Sequence, residues 1–140
     1  MQASLDELIK VGHAHNRAEE TNDLAGTLAT LEAEPVYEAY PVALKFEGMA
    51  ATRAYYEHFF ANVAPRIAQF QMRTEWVGKD GVCQEYDVWY QHDDGVTRTH
   101  RVLGILLFGR TKLTGERIYS DETFLKVLFG PVWNQMRPIE

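Results

Sequence analysis

VCQEYDVWYQHDDGVTRTHRVLGILLFGRTKLTGERIYSD, residues Val82 to Asp121, decides the fold. It reads as three consecutive antiparallel strands over 82–92, 97–108 and 112–121, because β-branched and aromatic residues fill three runs bounded by turn-forming clusters. His92-Asp93-Asp94-Gly95 and Gly109-Arg110-Thr111 supply the turns. Glu85, Asp87, His100, Arg101, Glu116 and Arg117 stand midway along these strands. Inward strand residues are ordinarily apolar, so ionisable groups there need a partner or a task.

Turn length sets the register. A two-residue Asp94-Gly95 turn pairs Asp93 with Val96 and places Trp89 opposite His100 and Glu85 opposite Gly104. With Phe108 paired to Lys112, Gly104 faces Glu116. One face then gathers Glu85, Asp87, Trp89, His100, Glu116 and Ser120. The Glu85 and Glu116 backbones lie about 10 Å apart by strand spacing, with a glycine leaving room between their carboxylates. His100 falls diagonal to Asp87, within side-chain reach. Crowded carboxylates in a dry site raise one proton affinity, which suits general acid–base work, and an Asp beside a His orients it. The other face carries Val82, Tyr86, Val88, Tyr90, Leu103, Ile105, Leu107, Leu113 and Tyr119, the stronger apolar pattern. Two arrangements stay open. The polar face lines a pocket, or it is solvated or an interface, with Glu85 and Asp87 paired to arginines. A one-residue slip in either turn exchanges the faces.

Upstream, Ser4 and Glu7 form a capping box for a helix running to about Glu20, with Leu5, Leu8, Gly12 and His15 on one face. His13 and His15 are two apart and diverge, so they predict no paired metal site. Asn22-Asp23 caps a shorter helix over 24–31, ended by Glu34-Pro35. VYEAYPV reads as a short strand breaking into a loop. Gly48 opens a third helix whose stripe is Tyr56, Phe59, Phe60 and Val63, stopped by Pro65. Residues 66–79 alternate loosely and carry Trp76. Asp121 caps a last helix ended by Gly130-Pro131, and the tail with Trp133 and Met136 docks on the body or on a second subunit.

Composition narrows the classes. At 140 residues the chain is expected to be one domain, 1–140, with no repeat or linker. A net charge of -6 with scattered basic residues argues against nucleic acid or an anionic membrane as partner. A single cysteine, Cys83, read as a small core residue, fits a reducing setting. No apolar run spans a membrane, and Asp6 and Glu7 stand where a secretory leader would be basic and apolar, so the expected location is the cytoplasm. There is no Walker loop, dinucleotide fingerprint, Cys pair or HExxH, and neither a cofactor nor a metal is expected.

The segment HAHNRAEETNDLAGTLATLEAEPVYEAYPVALKFEGMAATRAYY (13–56) and the later GERIYSDETFL (115–125) resemble the nuclear transport factor 2-like superfamily, in particular its ketosteroid isomerase and polyketide cyclase (SnoaL-like) branch. The resemblance covers nearly the whole chain. It implies an α+β fold, a cone-shaped curved antiparallel sheet wrapped over three helices (a cystatin-like or NTF2-like α+β barrel), which tends to enclose a pocket. It does not carry one reaction over, because the superfamily hosts isomerases, cyclases, dehydratases, epoxide hydrolases and plain binders. Tyr40 stands where ketosteroid isomerases place their general base, before Pro41-Val42. His15 falls on their oxyanion-hole tyrosine, and Gly104 falls near their oxyanion-hole acid. All three roles are changed, so the likeness implies the pocket and not steroid isomerisation by that mechanism.

The expected function is cofactor-independent acid–base chemistry, giving isomerisation, cyclisation or dehydration of a small, mostly apolar carbonyl or polyketide-like molecule. His100 is the expected base, oriented by Asp87 or Glu116, with Glu85 beside them and with Tyr40 and His15 as donors. Trp76, Trp89, Tyr56, Phe60 and Gly104 are the expected pocket lining, and a homodimer is the expected assembly. Two other classes remain beside it: a small-molecule-binding domain without catalysis, and a dimerisation domain whose polar face is only a contact.

Overall fold

Ser4 begins the first helix as its spacing predicts. Its hydroxyl accepts from the Glu7 N–H and bonds the Glu7 carboxylate, which fixes the start of α1 (Leu5–Glu20). Leu8, Gly12, His15 and Ala18 make the buried face of α1. Asp23 caps α2 (Leu24–Ala29) by accepting from the Gly26 N–H. Helix α2 stops short of the predicted 31 because Leu31 already belongs to a strand.

That strand, β1 (Leu31–Tyr40), is ten residues long rather than short. Neighbours pair with it on both sides, and Pro35 is accommodated in an irregularity between the Leu31–Leu113 and Val36–Gly115 pairs. Then come β2 (Leu44–Glu47) and α3 (Met49–His58), which runs on through a π-helical turn (Phe59–Val63) into Ala64–Arg66. Four strands follow: β3 (Ile67–Val77), β4 (Gly81–Gln91), β5 (Thr97–Phe108) and β6 (Leu113–Tyr119). Asp121 accepts from the Phe124 N–H to cap α4 (Glu122–Phe129), and a two-residue β7 (Arg137–Pro138) ends the chain. The computed structural model describes residues 1–140.

The seven strands form one curved sheet in the order β3-β4-β5-β6-β1-β2-β7. It is mixed rather than purely antiparallel, since β1 and β6 run parallel. Helices α1 and α3 pack on its inner face, over a core that includes Tyr37, Tyr56, Phe124, Leu125 and Phe129. Trp133 and Met136 pack on this core, and β7 pairs with β2, so the tail docks on its own body. No helix is long and apolar enough to cross a membrane.

The register differs from the predicted one, and the cause is the first turn. The Gly95 N–H donates to the His92 carbonyl, the His92 N–H donates to the Val96 carbonyl, and Gly95 has φ +82°. This is a three-residue turn with a left-handed glycine, not a two-residue one. Its Asp94 carboxyl, held by Arg98 and the Val96 N–H, titrates at about 2. Val88 therefore faces His100 and Gln84 faces Gly104, one residue off the expected pairing. Across the second turn an irregularity at Leu107/Phe108 sets Leu106 opposite Glu116 and Gly104 opposite Ile118, a shift of two.

A shift of one exchanges faces and a shift of two preserves them. The expected polar face is accordingly divided. His100, Gly104 and Glu116 turn inward with Gln84, Val88 and Tyr90, all buried. Glu85, Asp87 and Trp89 turn outward with Leu103 and Ile105, and Cys83 is half-buried on that side rather than in the core. There the arginine pairing left open by the sequence occurs. Asp87 is gripped by Arg73 and Arg101, and Glu85 lies 3.2 Å from Arg101. Arg101 and then Arg73 hold the Asp87 carboxyl below the usual carboxylate range.

Candidate functional site

Between α1 and the inner face of β3–β6 lies a cavity of about 560 Å³. Phe59, Ile67, Phe70, Met72, Tyr86 and Leu106 give it apolar walls. Glu19, Glu116 and Gly104 lie at the polar end, and His13, Glu75 and Gln84 form a second polar edge. There Gln84 donates to Glu75 at 2.7 Å, His13 lies 3.1 Å from the same carboxylate, and the Gln84 bond does most to hold Glu75 below its ordinary range.

The polar end is built from α1 outward. His15 and Glu19 are four residues apart, so they share a helix face one turn apart. His15 is fully buried, with Nδ1 2.7 Å from the Thr30 hydroxyl. That hydroxyl has one proton, and it goes to the Thr27 carbonyl at 2.6 Å, which can only accept. His15 Nδ1 must therefore carry a hydrogen and donate it to Thr30. Its other nitrogen, Nε2, lies 2.7 Å from Glu19 Oε1 and 3.1 Å from the Tyr56 hydroxyl. Tyr56 donates to Glu19 at 3.0 Å, which leaves Tyr37 to donate to Tyr56 at 2.6 Å. The 2.7 Å contact between His15 and Glu19 holds a proton between them. Donors thus converge on Glu19. Burial first, then the nearby carboxyls, pushes the phenols of Tyr37 and Tyr56 well above their ordinary range, so both stay protonated.

Glu116 is the exception in this cluster. It comes from β6, is 9% exposed, and has neither a hydrogen-bond nor an ion-pair partner. Burial, and secondarily the charge of Glu19, pushes its carboxyl well above the ordinary range and so favours the neutral acid. A Cβ on Gly104 would stand 3.2 Å from Glu116 Oε2. The glycine therefore leaves room for the Glu116 carboxyl itself, which lies diagonally to it, and not for a gap between the carboxylates of Glu85 and Glu116, because Glu85 faces outward. Ligand atoms of His15, Glu19 and Glu116 all lie within 4.8 Å of one another.

Of the expected residues, the structure brings His15, Glu116, Gly104 and Tyr56 to the polar end, but only Glu116 and Gly104 line the cavity; His15 and Tyr56 are buried behind them rather than at the mouth or in the lining, and the others lie elsewhere. His100 does not line the cavity. Its Nδ1 lies 2.6 Å from Asp121 Oδ2, its Nε2 lies 2.8 Å from His92 Nε2, and its ring stacks on Phe124 at 4.6 Å. Its acid partner is the cap of α4, not Asp87, because the register slip turned Asp87 outward. Tyr40 also faces outward, bonded to Glu38 and stacked on Tyr119. Trp76 is 53% exposed near the end of β3, Trp89 lies on the outer face, and Phe60 packs against Tyr56 behind the cavity. The sequence reading missed Glu19, Tyr37, Glu75 and Gln84. For Glu19 a signal existed, since it continues the buried face of α1 one turn beyond His15. Tyr37 gave none, because nothing local links it to Tyr56.

No family model matches the chain, and no curated protein matches it. Solved structures do. A steroid delta-isomerase from Pseudomonas aeruginosa superposes with a TM-score of 0.68 at 10% identity, covering 92% of this chain and 90% of that one. An NTF2-like protein of unknown function from Burkholderia xenovorans LB400 gives 0.64 at 17% identity, covering 83% and 84%. A de novo designed protein with a curved β-sheet gives 0.66 at 20% identity, covering 95% and 99%. The fold is therefore NTF2-like. At such identities the likeness carries architecture and leaves the chemistry to the side chains.

Proposed function

We propose that this chain, built on the NTF2-like fold, is an isomerase-type enzyme that moves a proton beside the carbonyl of a small, mostly apolar molecule. The observation that carries this is a pair of carboxyl groups in unlike surroundings at the polar end of an apolar-walled cavity. Glu19 accepts from Tyr56 and His15 and so is equipped as the base. Glu116, unpartnered and favoured as the neutral acid, is equipped as the donor. Two carboxyl groups in unlike surroundings beside one cavity suit separate acid and base roles. In the proposed step Glu19 takes a proton from the carbon next to the carbonyl. The C–H electrons move into the developing C=C bond, and the negative charge gathered on oxygen is met by the Glu116 O–H. Return of the proton at another carbon completes the isomerisation. The steroid isomerase among the similar structures is compatible with this class and does not identify the substrate.

The test is to incubate the protein with β,γ-unsaturated cyclic ketones in D2O and follow deuterium uptake and double-bond migration by NMR. Glu116→Gln and Glu19→Gln should each slow the reaction by roughly 10²–10⁴-fold. Rates indistinguishable from buffer across the ketones, or rates unchanged in both variants, would sink the proposal.

A second copy of this chain is the proposed partner. The outer face of β4–β6 presents Trp89, Leu103, Ile105 and Tyr119, partly exposed. Sedimentation should show a dimer that Ile105→Glu dissociates; a monomer at micromolar concentration would refute it.

A further inference from the structure

We propose that His15, Glu19 and Glu116 form a binding site for one divalent transition-metal ion. The proposal uses the same residues as the proton-transfer reading but does not rest on it. The first support is the orientation of His15. Metal-bound histidines commonly donate their other ring N–H to a fixed acceptor, which sets the tautomer and aims the free nitrogen. Thr30 does this for His15, because its own proton is committed to the Thr27 carbonyl. The second is the ordering of Glu19, whose carboxylate accepts from the Tyr56 hydroxyl, the kind of outer bond that steadies a ligand.

The third and decisive support is Glu116. Glu116 is 9% exposed, faces the cavity beside two other donor atoms and has no hydrogen-bond or ion-pair partner in the protein, so its oxygens are open to a ligand. The three donor atoms already lie within 4.8 Å of one another. Bonds of about 2.0–2.2 Å to a common ion would bring ligands to roughly 3–3.5 Å apart. Rotation of Glu116 can supply that approach, since no hydrogen bond restrains it and Gly104 leaves it space. One imidazole and two carboxylates, without a thiol, suit zinc, cobalt or manganese rather than a soft ion. The cavity leaves further coordination positions open to water or a ligand.

Charge fits as well. Two carboxylates and a neutral imidazole offset a doubly charged ion. Around the cluster stand Tyr37 on β1, Tyr56 on α3, Glu75 on β3, Tyr86 on β4, and His13 and Arg17 on α1. None of these replaces the carboxyl that Glu116 contributes. An ion so held also ties up both groups of the proposed proton transfer, so it should block that reaction.

The test is a calorimetric titration of Zn²⁺ into the full chain, stripped of metal with a chelator and dialysed. Co²⁺ is titrated in parallel and followed by its visible absorption. One ion per chain is expected at pH 7.5. Glu116→Gln and Glu19→Gln should each weaken binding by about 10–100-fold or more, and Glu85→Gln on the outer face should not change it. Circular dichroism checks that each variant is folded, and His15→Gln provides the same comparison if Glu116→Gln is not. No saturable uptake by the wild-type chain below millimolar metal, or affinity unchanged in the folded variants, overturns the proposal. Because no substrate is present, its failure is separate from failure of the ketone assay.

Discussion

His15–Glu19 and His100–Asp121 are nearly the same contact, 2.7 and 2.6 Å between an imidazole and a carboxylate. Both histidines are buried. Along β5, His100 lies six residues from Leu106, the partner of Glu116, or about 20 Å by strand rise. The surroundings set the two pairs apart. Asp121 spends its oxygens on His100 and on the Phe124 N–H, the His100 ring is stacked, and its second nitrogen meets His92. Both nitrogens of His100 and both oxygens of Asp121 have protein partners. At the cavity end the sequence of donors finishes beside Glu116, which has none. A His–acid pair is therefore a poor sign of chemistry by itself, and the unpartnered group next to it is the better one.

Breaking the open cluster should have the largest effect. Glu116→Gln is expected to lower proton exchange by roughly 10²–10⁴-fold in the NMR assay while keeping the fold. Breaking the closed one should do the reverse. His100→Ala removes a stacked ring and its bonds to Asp121 and His92, and should lower stability by about 2–4 kcal/mol in chemical denaturation with exchange retained. If His100→Ala abolished exchange in a protein that remained folded and stable, the contrast between the clusters would fail.

A pH series sharpens the same contrast. The Glu116 carboxyl binds its proton more tightly folded than unfolded. Its contribution is therefore most favourable below the ordinary carboxylate range. It is lost as pH rises from that range toward the folded value, by at most about 1.4 kcal/mol per pH unit. Asp87, Asp94 and Asp121 are depressed and act oppositely, losing their contribution as pH falls. Subtracting the Glu116→Gln stability curve from that of the wild type should leave a difference that declines with pH. A flat difference would place an unrecognised partner beside Glu116. The smallest expected effect is that of Gly104→Ala. Its Cβ would press on the movable end of Glu116, so stability should change by under about 1 kcal/mol, while exchange falls measurably.

Much of the architecture is readable in the sequence. The strands at 81–91, 97–108 and 113–119 and the helix caps at Ser4, Asp23 and Asp121 rest on local chemistry that a sequence displays directly. The pairing between strands does not. One left-handed glycine at 95 lengthened a turn by a residue and sent Glu85 and Asp87 to the outer face. The site was therefore legible as separate residues, His15, Gly104, Glu116 and Tyr56, and illegible as a group. Glu116 meets Glu19 only because the parallel β1–β6 pair and the packing of α1 bring distant segments together. His100 reads as a base only on a diagonal to Asp87 that the true register does not contain.

The two edges of the sheet have different fates. The β2 edge is blunted by β7, whereas β3 presents eleven mostly exposed residues with nothing alongside. Such a rim could recruit strands from other molecules and grow. Pairing of β3 with β4 is interrupted twice, at Ile67/Gln69 and at Met72/Thr74. Each interruption breaks the even row of amide groups that an incoming chain would need to match. The irregular rim that closes one wall of the cavity is thus also a poorer template for an added strand than an even one would be.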